Sequence, residues 1–173
     1  MNIIDERMFK FLLKSIRTWG PFEYLMAVFA ASFNNEILTY VWIIAFVSVP
    51  ISYGTSVICC LLPILISKAT CYLKEKICRE RPTLYQPRIE ALMFEFRKKD
   101  SNYSMPSCDS AQAAAFWTFF CKHTWMPWWI GILMTIGTMF SRVYYMCHYP
   151  TDGLVGAFIG MMIALLMDYI ILG

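Results

Sequence analysis

The chain has 173 residues, 58% of them hydrophobic and 16% charged, with a mean hydropathy of +0.51 and a net charge of +3. A soluble domain is about half apolar and a quarter charged, so the surplus apolar surface here must face lipid or a large partner. The small net charge and the lack of basic–aromatic patterning exclude a nucleic-acid binder.

Residues 1–18 carry Asp5, Glu6, Arg7, Lys10, Lys14 and Arg17, which argues against a cleavable signal peptide. Met8, Phe9, Leu12, Leu13 and Ile16 fall on one stripe, predicting an interfacial amphipathic helix that leads into Trp19 and Pro21; a targeting segment is the weaker alternative. Six apolar segments follow, at 21–33, 37–53, 55–73, 110–121, 126–146 and 153–172. A helix needs about 20 residues to cross the hydrocarbon core, which the last two supply, while the first and fourth must borrow flanking residues. Gly156 and Gly160, with Ala113, Ala114 and Ala115, permit close helix packing. Cys59, Cys60, Cys71 and Cys121 lie in apolar runs without metal-ligand spacing and read as small hydrophobes. The predicted fold is all-α, a single membrane domain over 1–173 with six transmembrane helices preceded by the amphipathic one.

The one long connection, 74–109, holds eight Lys/Arg and six Asp/Glu. Within it Ile89, Leu92, Met93 and Phe96 make a short amphipathic helix, read as lying on the headgroups, with a lid as the alternative. Six crossings put the end of the third segment, the start of the fourth, the end of the fifth and the start of the sixth on one face. That is the active face; both chain termini are expected on the other.

Three clusters fall at those ends. Lys74 and Arg81 are seven apart, so on one helix they would share a face two turns apart and could converge on a phosphate, with Pro82 ending the helix. The alternative is a basic patch for anionic headgroups, a role read for Lys76 and Arg79 in any case. Pro106, Ser107, Cys108, Asp109 and Ser110 open the fourth segment, where free N–H groups and a dipole end bind anions; plain N-capping is compatible with that. Ser141, Arg142, His148 and Asp152 bridge the last two segments. Arg142 in an apolar run must pair or reach polar surroundings, and a tight turn at Pro150 would return Asp152 to the His148 imidazole. A polar interhelix turn is the alternative.

Lys-x6-Arg-Pro at 74–82, Pro-Ser at 106–107 and Ser-Arg-x5-His-x3-Asp at 141–152 together resemble the type 2 phosphatidic acid phosphatase superfamily of membrane lipid phosphate phosphatases. The resemblance implies His148 as a nucleophile that forms a phosphohistidine and Asp152 as its orienting carboxylate. It implies Lys74, Arg81, Ser107, Arg142 and the backbone near Cys108 as the phosphate cradle. No cofactor or metal is implied; apart from Asp109 and Asp152 the motifs offer no carboxylates for an oxygen-ligand cage.

The middle motif departs from the family's Pro-Ser-Gly-His: Cys108 stands for the glycine, and Asp109 for the histidine that protonates the leaving group. A lipid phosphatase or diphosphatase favouring isoprenoid-type diphosphates is the leading reading, with the lipid substrate and membrane lipids as partners. The competing readings are an inactive phosphatase-like protein that binds headgroups or serves as a structural subunit, and a phosphate or headgroup transferase. Association with itself or with a membrane complex is left open. The resemblance implies an endoplasmic reticulum or other endomembrane location with a lumenal active face, against which the basic residues Arg7, Lys10, Lys14, Arg17 and Lys122 give an ambiguous positive-inside signal.

Overall fold

The computed structural model describes Asp5, Arg7 and residues 20–32, 53–82 and 103–172. Within these the chain is helical, with one isolated antiparallel bridge between Glu80 and Tyr103. Five helices are delimited: α1 (Gly20–Ser32), α2 (Tyr53–Ile77), α3 (Cys108–His123), α4 (Trp128–Tyr144) and α5 (Pro150–Leu172). The predicted segment 37–53, apart from Tyr53, and the amphipathic helix at 89–96 lie outside the described residues, as does most of 1–18.

Helix α5 starts on Pro150, whose fixed φ and missing N–H suit a first turn. Its residues 150–171 have a mean hydropathy of 2.2, enough to cross a membrane, yet only 22% of the apolar stretch is buried. Leu154, Phe158, Leu166, Tyr169 and Ile170 all point outward. A soluble core helix would hide these groups; their exposure suits a helix with a lipid-facing surface. Trp125, Trp128 and Trp129 stand exposed at the α3–α4 turn, as aromatic residues do at a membrane interface.

The core forms where small residues let backbones meet. A Cβ added to Gly160 would stand 1.9 Å from the Ala111 carbonyl oxygen, and one added to Gly156 would stand 2.3 Å from that of Ser107. The glycine pair thus seats α5 directly on the α3 backbone. Leu62 and Ile66 of α2 pack with Ala111, Ala115, Phe116, Phe119 and Ala164 on the other side of this contact. At the far end of the pair, Asp168 is bonded to Lys122 and, at 2.6 Å, to His123 Nε2.

Helix α1 lies along α4. Phe22 packs edge-on against Tyr144, with ring centroids 5.8 Å apart, and Phe29 sits over Gly137. The start of α1 is therefore beside the end of α4, on the active face. Asp5 is also there, bonded to Arg79 and Thr151. This corrects the N-terminal half of the expectation, at Asp5 and Arg7, whereas α5 runs from the active face to Leu172 at the far end, as expected for the C-terminal side. Counting apolar runs assumes that each makes one crossing, whereas the aromatic packing of α1 fixes its direction.

Candidate active site

The first cluster is built where α2 stops. Cys78 adopts φ +49° and donates its N–H to the Lys74 carbonyl at 2.9 Å, a left-handed cap that ends the helix at Ile77. Lys74 and Arg81 therefore do not share a helical face, and Pro82 is not the terminator. Lys74 is buried on the last turn, within electrostatic reach of Cys108. Arg81 lies past the turn and reaches the site from another direction, its Nη1 donating to the Cys147 carbonyl at 3.0 Å.

Ser107 is the N-cap of α3; its Oγ accepts from Ser110 Oγ at 2.9 Å and from the Ser110 N–H at 3.4 Å. Its own N–H donates to the Asp152 carbonyl at 3.0 Å, which ties the second cluster to the third. Cys108 and Asp109 fill the first turn, both buried. Asp109 Oδ2 stands 2.7 Å from Arg142 Nε; the contact is a charge pair, with the Nε–H out of hydrogen-bond line.

Helix α4 ends in a double cap. Met146 takes φ +57°, the Cys147 N–H donates to the Arg142 carbonyl and the Met146 N–H to that of Val143, both at 3.0 Å. This reversal drops His148 back over the helix end instead of carrying it onward. Its Nδ1 lies 2.7 Å from the Ser104 carbonyl oxygen. A carbonyl can only accept, so Nδ1 carries the proton and Nε2 the lone pair.

Asp152 Oδ2 accepts the Tyr149 N–H at 2.8 Å and stands 3.7 Å from His148 Nδ1, a charge contact beyond hydrogen-bond length. The turn does return the carboxylate to the imidazole, but the nearest partner of Nδ1 is Ser104. Burial pushes the His148 imidazole down to about 4; Asp152 raises it, Arg142 and Arg81 lower it, and Asp109 raises it. At neutral pH the ring is uncharged.

The Ser107–Asp152 bond, the Asp109–Arg142 pair and the Asp152–His148 approach thus bring the second and third clusters together, with Lys74 in electrostatic reach of Cys108 and Arg81 bonded to the Cys147 carbonyl next to His148. Sequence reasoning missed three contributors. The Ser104 carbonyl carries no sequence signal, because any residue supplies one. Arg79 is not on the headgroups: its guanidinium bonds Asp5 and Asp152, each at 2.7 Å. Asp5 is buried at 1% exposure, and only its position among basic and apolar neighbours could have marked it. Among the described residues no group of three His, Cys, Asp or Glu side chains could hold a metal ion. Below the site, an apolar cleft of about 390 Å³ lies between α3, α4 and α5, lined by Trp117, Trp128, Ile136, Met139 and Phe158 among others.

Residues 51–172 match the family model of the PAP2 superfamily. No curated protein matches the chain. Its fold is similar to that of the transmembrane PAP2-type phosphatidylglycerolphosphate phosphatase from Bacillus subtilis, with a TM-score of 0.77 at 21% identity over 96% of this chain and 84% of that one. It is similar too to Aquifex aeolicus LpxE, with a TM-score of 0.76 at 18% identity over 97% of this chain and 96% of that one.

Proposed function

The chain belongs to the PAP2 superfamily, and from that premise we propose that it is a membrane lipid phosphatase using His148 as nucleophile and favouring lipid diphosphates. The observation that carries this reading is the Nδ1–H of His148 held by the Ser104 carbonyl, which leaves the Nε2 lone pair to attack. In the proposed step Nε2 bonds to the terminal phosphorus and the bond to the bridging oxygen breaks, so the lipid monophosphate leaves with the electron pair. Water then attacks the phosphohistidine, releasing inorganic phosphate and restoring the imidazole. Lys74, Arg81 and Arg142 supply the positive charge that the phosphoryl oxygens need, with Ser107 and the first-turn N–H groups of α3, so the proposed reaction requires no metal. Asp152 stabilises the developing positive charge on the ring. The apolar cleft below suits the hydrocarbon part of the substrate.

The diphosphate preference rests on Asp109. An alkoxide needs a proton as its P–O bond breaks, whereas a phosphate monoester, with a second pKa of about 6, leaves as a stable anion. Asp109 faces the Arg142 guanidinium as its ion-pair partner, and in this reading its part is to hold that cation. It takes the place of the family's acid but not its task. The same pair favours a second reading, an inactive protein that binds headgroups, because it occupies a cation that would otherwise meet phosphate. Following the family resemblance, the location proposed is an endomembrane with the site facing the lumen.

Phosphate release by the purified protein from a panel of lipid monophosphates and prenyl diphosphates tests both. Faster release from the diphosphates is expected. Release from none of them, with headgroup binding intact, selects the second reading.

A further inference from the structure

Buried Asp5 and half-buried Arg79 form an ion-paired assembly beside Asp152. Arg79 Nη2 reaches Asp5 Oδ2 at 2.7 Å, and Nη1 reaches Asp152 Oδ1 at 2.7 Å and Thr151 Oγ1 at 2.8 Å. The guanidinium also lies over the Tyr149 ring, 4.3 Å from its centre. The Thr151 hydroxyl donates to Asp5 Oδ2 at 2.7 Å, and the Thr151 N–H points at Asp5 Oδ1 at 3.4 Å. Asp5 thus serves the first turn of α5 as a cap supplied from residues far away in sequence. Asp5 is 1% and Asp152 0% exposed. A carboxylate so enclosed needs partners, and removing one leaves its charge uncompensated.

Each oxygen of Asp152 has a separate task. Oδ1 is bound by Arg79, while Oδ2 holds the Tyr149 N–H and faces His148. Arg79 is in turn fixed by Asp5 and by the Tyr149 ring. We propose that Asp5 and Arg79 are positioning residues for the reaction, a carboxylate–guanidinium–carboxylate bridge through which the N-terminal segment holds Asp152 beside the nucleophile. The proposal deepens the reading of His148 as nucleophile and rests on it. A bridge that served only to dock the N-terminus would hold Asp152 in place without setting the state of the imidazole.

The two variants should act in opposite directions. The described charged groups facing His148 are Asp152 from α5, Arg142 from α4, Asp109 from α3 and Arg81 from the segment after α2. In Arg79→Gln the Asp152 carboxylate loses its cation and draws a proton onto the imidazole more strongly. In Asp5→Asn the Arg79 charge is less offset and favours the neutral ring further.

The experiment is a histidine NMR titration of the solubilised full chain, which has two histidines, with the His148 signal identified by its loss in His148→Ala. Arg79→Gln should raise the His148 midpoint by roughly one unit, a change typical of losing or gaining a close charge. Asp5→Asn should lower it, and Arg79→Lys, which keeps the charge, should return it toward wild type. In turnover, Arg79→Gln should lose about tenfold or more in kcat with KM changed less than about twofold, because the bridge does not touch substrate. Shifts of the same sign in both variants, or none, with activity falling only in step with Tm, would overturn the proposal and leave a docking contact. The titration needs no turnover, so a wild type that hydrolyses no lipid phosphate counts against the proposed function and leaves the bridge to be decided by its own readout.

Discussion

The buried imidazole of His148 makes the protein's stability depend on pH in a way that can be isolated. In the folded chain burial pushes the ring down to about 4, against about 6.5 for an exposed histidine. Between those values the unfolded chain binds a proton that the folded chain does not, so stability falls as pH drops from 6.5 toward 4. Above 6.5 both states are neutral and the contribution is complete; below 4 both are charged and the loss levels off. The full span of about 2.5 units corresponds to roughly 3 kcal/mol, and most of it should be lost by pH 4.5. Acid acts on the rest of the chain as well, so the quantity to measure is a double difference. Wild type and His148→Gln are unfolded in the same detergent at pH 7.5 and at pH 4.5. His148→Gln lacks the titrating ring and should lose about 2–3 kcal/mol less across that interval. If His148 is the nucleophile as proposed, the acid limb of kcat/KM should likewise fall near pH 4 and not near 6.5, because the attacking ring must be neutral. Equal losses in the two proteins would mean that the ring is not buried as described, and the derivation of its tautomer would fall with it.

Four further outcomes follow from the packing and the charges. Gly160→Ala should cost about 1–3 kcal/mol or more, since overpacking here meets backbone that cannot swing aside; an unchanged Tm in detergent would refute the seating of α5 on α3. Lys74→Met should lower kcat/KM on order of 100-fold with folding kept, as expected for losing one preorganised positive group, and a wild-type rate would remove Lys74 from the cradle. Asp109→His should raise monophosphate hydrolysis more than diphosphate hydrolysis; a wild type that already prefers phosphatidic acid at neutral pH would refute the leaving-group argument. Asp168→Asn should weaken the α3–α5 contact and lower Tm while leaving KM unchanged, because Lys122 and His123 pair with it at the end away from the site.

Among the described residues the apolar runs were legible as helices, and the structure moves their ends by only a few residues: the expected 55–73 becomes Tyr53–Ile77, and 153–172 becomes Pro150–Leu172. The glycine pair at 156 and 160 was legible for a different reason, since close backbone approach excludes every larger side chain. The turns that follow α2 and α4 were not. Cys78 and Met146 adopt left-handed backbone that a glycine would have announced, so the stop at Ile77 and the fold-back before His148 carried no signal.

The site divides along the same line. A phosphate contact would restrict residue type, because only cations, hydroxyls and backbone N–H groups stabilise its oxygens, and Lys74, Arg81, Ser107 and Arg142, proposed for that role, stand at the spacings of the family resemblance. Holding those residues in place restricts type far less. Asp152 needs one positive group within reach of Oδ1, and three Lys or Arg side chains at 76, 79 and 81 were alike in that respect. What singles out Arg79 is its bond to Asp5, 74 positions earlier. Burial makes that carboxylate costly unless paired, but burial is a property of the packed chain. The supporting residues of a site are therefore the last to become readable, since their identity is fixed by distance in space and not by the chemistry they perform.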